Sequence, residues 1–151
     1  MSSRTRRGPP GSRTRFAPAA LIESIDGGMR GTPEMEAKAR AVVDIHLAAI
    51  AKAHAAGVRI AMGTDAGVFP HGQAPRELAF MMRAGMTAQE ALVAATSAAA
   101  EMLRLQDEVG ALTPGKAADL LVLGGDAWDL ERFQDNLELV VQGGEVVDRG
   151  R

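Results

Sequence analysis

The residues best suited to chemistry stand close together. Gly63-Thr64-Asp65-Ala66-Gly67 follows directly on the apolar segment Val58-Arg59-Ile60-Ala61-Met62, and His71, Arg76 and Glu77 come soon after. If that segment is a buried strand, Asp65 is a carboxylate at its C-terminal end. Open α/β sheets and barrels of alternating strands and helices place their active sites there. A carboxylate in that position can ligate a cation or carry a proton, and the flanking glycines let the backbone turn sharply beside a ligand. The same pentapeptide also reads as an ordinary tight turn, because Asp and Gly are common turn residues. His71 is a candidate substrate contact or a solvated loop histidine. Arg76 and Glu77 begin a helix near the same end, although an acid at a helix N-terminus is also accounted for by the dipole alone. Thr64 either bonds near the site or caps the turn.

The other two histidines, His46 and His54, share one predicted helix. Eight residues separate them, about 80° around the axis, which is poor geometry for a shared metal. His46 sits at the centre of the apolar arc and is expected to be buried and hydrogen-bonded. His54 lies near the helix end, where a cation is mildly favoured. Asp119 precedes a predicted strand away from the active end and reads as structural. Met81, Met82 and Met86 read as core filling. No Gly-rich phosphate loop or serine-nucleophile pattern is present.

The elements that must position Asp65 are legible from spacing. Thr32 and Pro33 are an N-cap and a first helical residue, Glu34 and Glu36 suit the first turn, and the spacing predicts a helix over 32–56. Met35, Ala39, Val42, Val43, Ala49, Ile50 and Ala53 fall on one arc of it. Gly57 is its stop signal. Residues 58–62 then read as a short buried strand, 63–75 as loop, and 75–84 as a second helix ended by Gly85. Thr87-Ala88-Gln89-Glu90 is a capping box opening a helix from Ala88 to about Leu103. The remainder changes character, with strands over 120–123, 137–141 and 145–147, the last two joined through Gln142-Gly143-Gly144 as a hairpin. A short helical turn is expected around 19–25.

Composition bounds the reading. The chain has 151 residues, 46% hydrophobic and 24% charged, with one Trp, no Tyr and no Cys. One ordinary domain with an aliphatic core fits. Without cysteine there are no disulfides, thiolate metal sites or Cys nucleophiles, and a cytoplasmic location is expected. Residues 1–15 hold five arginines and no acid, so the rest carries −7 against a whole-chain charge of −2. That head reads as disordered. As a twin-arginine or secretory signal it is weak, because the apolar run behind it is interrupted by Pro18 and stops at Glu23. No stretch is long enough to span a membrane. Neither nucleic acid nor membrane is expected as a partner; an arginine-head nucleic-acid binder is the least supported reading, since no aromatic platform accompanies it.

Several blocks resemble, in order, the last barrel strand and closing segments of the amidohydrolase superfamily. They are Gly57 to Gly67, then His71-Gly72 and Glu77-Leu78; Ala84 to Leu92, with Ala94-Ala95-Thr96 and Ala99-Ala100; Val109 to Leu123; and Val141 to Val147. The resemblance covers roughly 17–148 and is nearest the imidazolonepropionase and Xaa-Pro dipeptidase-like enzymes. It implies an α/β fold: a partial (β/α)8, TIM-type barrel ending in its last βα unit, plus C-terminal strands of a small β-sandwich. The divisions are a basic head over 1–16, the barrel part over 17–106 and sandwich strands over 107–151. It implies metal-dependent hydrolysis of a C–N bond in a small cyclic amide or dipeptide-like substrate. The cofactor is a divalent metal, zinc above all, and Asp65 is both metal ligand and catalytic proton carrier. His71 follows as a substrate-binding residue.

The sequence departs from the family pattern as well. The His-x-His pair, the lysine strand and the two histidine-bearing middle strands are missing. A complete (β/α)8 barrel takes about 250 residues, and catalytic zinc takes three protein ligands plus water. The chain is therefore expected to be a truncated C-terminal portion, inactive alone. The alternative is a non-catalytic oligomerisation or interaction module, self-associating through an exposed barrel edge.

Overall fold

The structure is a computed structural model; it describes residues 12–13, 32–64 and 71–147. Strand β1, Ser12–Arg13, pairs in parallel with β2, Ile60–Ala61, with Ser12 opposite Ile60 and Arg13 opposite Ala61. Between them runs helix α1, Pro33–Ala55. Parallel strands cannot be joined by a tight turn, and a helical crossover is the usual solution. The unit is β-α-β, which places the chain in the expected α/β class.

α1 begins where its cap dictates. Thr32 is extended, its hydroxyl accepts the Met35 amide at 3.2 Å, and Pro33 follows as the first helical residue. It ends where the amides of Gly57 and Val58 return to the carbonyls of His54 and Ala53, with Gly57 at φ +72°. The Val58 to Met62 segment shortens to the two ladder residues Ile60 and Ala61, both buried.

Helix α2, Arg76–Arg83, follows a 3-10 turn at His71–Gln73. Helices α3, Ala88–Ala95, and α4, Ser97–Leu103, come next. Both ends of the capping box are made: Thr87 Oγ1 accepts the Glu90 amide, and Glu90 Oε2 accepts the Thr87 amide at 2.8 Å. The single helix expected here is two helices, broken at Thr96 (φ −121°, ψ −94°). Two causes are visible. The Thr96 hydroxyl donates to the Leu92 carbonyl at 2.7 Å, offering the backbone a competing bond. Gly110, at φ +88°, lies so close to the joint that a Cβ there would stand 2.6 Å from Ala100 Cβ and 3.1 Å from Thr96 O.

α2 packs against α1 and α3, while α3 and α4 cover β2. The core gathers Ile50, Ile60, Leu78, Met81, Met86 and Ala91 with Leu130 and Phe133 from the later segment. Met81 is fully buried and Met86 nearly so, as core fillers should be. The apolar arc of α1 is buried only toward its C-terminal half. Ile50 is 4% exposed, but Met35 and Val42 are exposed. Periodicity marks the face of a helix that wants cover, not how far along the cover extends.

The last segment forms an antiparallel sheet of β3, Leu120–Leu123, β4, Leu137–Gln142, and β5, Glu145–Val147, in that order. The β4–β5 hairpin turns at Gly143 (φ +59°) and Gly144 (φ +87°), the two positive values that a tight hairpin matching strand twist requires. Asp119 Oδ1 accepts the Gly143 amide at 2.7 Å and the Ala118 carbonyl accepts the Gly144 amide, so Asp119 is structural.

The basic head needs a correction. Ser12 and Arg13 are not disordered; they form β1. Arginine-rich composition signals weak burial, but a parallel ladder is made by backbone groups, which composition does not register. The remainder of 1–31, including the turn expected at 19–25, lies outside the described residues.

Candidate functional site

β2 carries the chain toward the candidate loop, and its exit is fastened. The Met62 amide donates to the Ala94 carbonyl at 2.9 Å, tying the strand to α3. Gly63 and Thr64 follow, half-buried. Asp65 itself lies outside the described residues, as do the next five positions. The chain returns at His71, which opens the 3-10 turn; its side chain is likewise outside the description.

This return is held from a distance. Gln134 Nε2 donates to the Gly72 carbonyl across 62 positions of sequence. The Glu77 and Leu78 amides bond the carbonyls of Ala74 and Pro75, starting α2 immediately beyond. Arg76 is half-buried, whereas Glu77 is only 1% exposed and is the buried charged residue of the described chain. A carboxylate survives such burial only when paired or hydrogen-bonded. Sequence reasoning left Glu77 open between a substrate contact and an acid favoured by the helix dipole, and it missed the burial, since an N-terminal acid looks the same in sequence whether exposed or enclosed. Gln134 left no signal at all.

The remaining histidines stay apart from this end. His46 is half-buried, where a buried residue was expected. His54 Nε2 lies 3.1 Å from Glu90 Oε1. That carboxylate also receives the Thr87 amide and hydroxyl, and these bonds, more than His54, hold its pKa down at about 2. Arg59, just before β2, grips Glu101 of α4 through both terminal nitrogens; the guanidinium lowers the carboxyl and is itself raised.

These two pairs rim an open groove of about 350 Å³ whose floor includes Val58, Ile60, Val93 and Ala94. The groove sits at the entry end of β2, opposite the Met62–Thr64 exit. In parallel α/β architectures that end serves stability and not chemistry. The expected metal therefore finds no site here: among the described residues no three His, Cys, Asp or Glu side chains converge on a point that could hold an ion. Among the described residues, His54 is committed to Glu90 and His46 stands two turns away from it, so the two histidines do not pair on one ion. No helix among the described residues is long and apolar enough to cross a membrane.

Comparison with known proteins places the chain among relatives of known fold. The chain is 40% identical over 105 residues to an ochratoxinase of Aspergillus niger, covering 68% of this chain and 22% of that one. It is 39% identical over 71 residues to an imidazolonepropionase of Rubrobacter xylanophilus, covering 45% and 17%. Among solved structures it superimposes on a Xaa-Pro dipeptidase with bound methionine at TM-score 0.74 and 30% identity, over 91% of this chain and 34% of that one. The A. niger ochratoxinase structure gives TM-score 0.66 at 33% identity, over 89% and 32%. The chain thus spans about a fifth of the curated relatives and a third of the solved ones. Residues 18–147 match the amidohydrolase family from end to end of the core described above, and the chain belongs to that family.

Proposed function

We propose that this chain is the C-terminal portion of a metal-dependent amidohydrolase that cleaves a C–N bond in a cyclic amide or dipeptide-like substrate. Residues 17–106 are read as the end of a (β/α)8 barrel and 107–151 as strands of a small β-sandwich. The observation that carries the reading is the family match over 18–147 together with a strand, β2, that ends four positions before Asp65 in the sequence. Asp65 is the one metal ligand and proton-carrying group this portion contributes, zinc being the intended ion, and His71 is a substrate-binding residue. The other ligands must come from the part of the fold that the relatives have and this chain lacks. Alone, the chain binds zinc weakly and hydrolyses nothing, in a cytoplasmic setting.

Two measurements test this. Zinc titration of the purified chain should give weak binding that Asp65→Asn leaves unchanged; tight, Asp65-dependent binding overturns the truncation reading. Fusion to the N-terminal two thirds of an Xaa-Pro dipeptidase-like relative should yield an amide hydrolase whose activity disappears with Asp65→Asn. A folded fusion with full activity after that substitution sinks the role of Asp65.

A second reading, a non-catalytic oligomerisation or interaction module, is favoured by the exposure of Met35, Val42 and Ile45 along α1. A row of uncovered apolar side chains on a helix marks a contact surface.

A further inference from the structure

The turn that brings the chain back at His71 has little to hold it locally. α2 starts at Arg76 behind Pro75, which supplies no side-chain cap. The Glu77 and Leu78 amides close onto the Ala74 and Pro75 carbonyls. Such bonds satisfy the first donors of a helix, but they do not fix where the preceding turn stands against the rest of the fold. Gly72, in the middle of the His71–Gln73 turn, is exposed and has open space where a Cβ would be. Its carbonyl nevertheless receives Gln134 Nε2, from the far end of the fold in sequence.

Gln134 is itself well fixed. Leu130 and Phe133, just before it, are 2% and 6% exposed and share the core with Leu78 and Met81 of α2. The 3-10 turn Leu130–Arg132 is opened by Asp129, whose Oδ1 accepts the Arg132 amide at 3.4 Å, and α2 packs against that turn. Beyond Gln134, the Asn136 amide donates to the Arg132 carbonyl at 2.9 Å, and the Gly124 amide to the Asn136 carbonyl at 2.7 Å. A side chain whose backbone is already held on both sides loses less freedom when it bonds.

We propose that Gln134 is a positioning residue for the substrate end: its bond to the Gly72 carbonyl sets where the turn carrying His71 stands. The C-terminal segment, and not the local chain, then orients that end. The inference rests on the reading of His71 as a substrate-binding residue. It does not depend on the parts of the fold this chain lacks, because both partners of the bond and the core beneath Gln134 lie within the chain. The requirement is chemical: a carbonyl only accepts, so a side chain of the same length without an N–H leaves Gly72 untethered.

The test uses the full chain without metal or substrate, so a failure of the hydrolase reading leaves its outcome untouched. Wild type is compared with Gln134→Met, Gln134→Lys and Asp135→Asn. Two properties are read: hydrogen exchange over residues 72–78, and the imidazole NMR resonances of the three histidines, with His71 assigned by its loss in His71→Gln. Gln134→Met keeps the length and removes the donor. It should speed exchange over 72–78 by about two- to tenfold, the factor one hydrogen bond supplies, and shift the His71 resonance. The His46 and His54 resonances and exchange at Ala91 and Val140 should not move, which separates a lost tether from general loosening. Gln134→Lys restores an N–H donor and should return both readings toward wild type. Asp135→Asn, at an exposed neighbour, should change neither. Unchanged exchange and an unshifted His71 resonance in Gln134→Met overturn the proposal. So does a lysine variant that exchanges as fast as the methionine one, since packing and not the donor then holds the turn. Faster exchange at Ala91 and Val140 together with 72–78 makes Gln134 a general structural residue and overturns it too.

Discussion

Arg59 holds Glu101 with both terminal nitrogens, joining the residue that enters β2 to the last turns of α4, 42 positions later. The pair looks strong and is exposed, with side chains 60% and 53% accessible. Water screens such a pair, so its geometry overstates its contribution. Arg59→Ala should leave the urea midpoint at high salt nearly unchanged, with any loss confined to low salt, where screening is weakest. A large, salt-independent loss would show that Arg59 supports β2 by packing instead.

Glu90 gives the fold a pH dependence of known sign. Its carboxyl is held at about 2 by the Thr87 amide and hydroxyl and then by His54, below the 4.5 of a free glutamate. A group whose pKa is lower in the folded chain stabilises that chain above the unfolded pKa. The contribution is lost as pH falls from about 4.5 toward 2, because the unfolded chain binds the proton first. Glu90→Gln should therefore lower the urea midpoint at pH 7, and the gap to wild type should close by pH 2–3. A gap that stays constant over that range removes the carboxylate from the account.

Thr87 is the other half of the same device, and its loss is separable. The hydroxyl satisfies the Glu90 amide, one of the otherwise unbonded donors at the start of α3. Thr87→Ala should cost about 1 kcal/mol in urea denaturation, the usual value of an N-cap. Thr87→Ser, which keeps the oxygen, should recover most of it.

How far these features could be read in advance depends on how local their causes are. Thr32, Pro33 and Gly57 bound α1 by capping rules that act within a few residues, and the Gly143-Gly144 hairpin follows from its two positive φ angles. Asp65 rests on its motif and its place in the sequence after β2, and it lies outside the described residues. The interruption at Thr96 was not legible, because the segment around Gly110 that crowds it lies well beyond the helix. Nor was β1, whose pairing uses backbone groups, nor the fastening of Gly72 by Gln134. The burial of Glu77 is likewise set by neighbours that a local pattern cannot name.

Gly110 tests the interruption at Thr96 directly. Its φ of +88° is a conformation that side chains resist, and a methyl group there would meet Ala100 Cβ at 2.6 Å and Thr96 O at 3.1 Å. Gly110→Ala should destabilise by more than the 1–2 kcal/mol or so that left-handed backbone alone costs. Ala100→Gly adds its own helix penalty of about 1 kcal/mol, yet in the double variant it should return part of the loss by removing the facing methyl. The two changes should then be less than additive. Strict additivity would mean that the strain at Gly110 is purely conformational and that the α3–α4 joint is not held apart by this contact.

Met81 measures whether the core behaves as one body. It is fully buried between residues of α1, α3 and the segment around Leu130 and Phe133. Met81→Ala removes a long side chain from the centre and should cost about 2–5 kcal/mol, the range for buried Met, Leu and Ile truncations. Met81→Leu, near in volume, should cost less than about 1.5 kcal/mol. Because the cluster joins the helices near β2 to the Leu130–Phe133 segment, the alanine variant should lower the unfolding midpoints of the helices and of the C-terminal sheet together. Hydrogen exchange at Ala91 and at Val140 reads the two regions separately. If protection falls at Ala91 alone, the sheet is an independent unit and Leu130 and Phe133 do not couple it to the helical core.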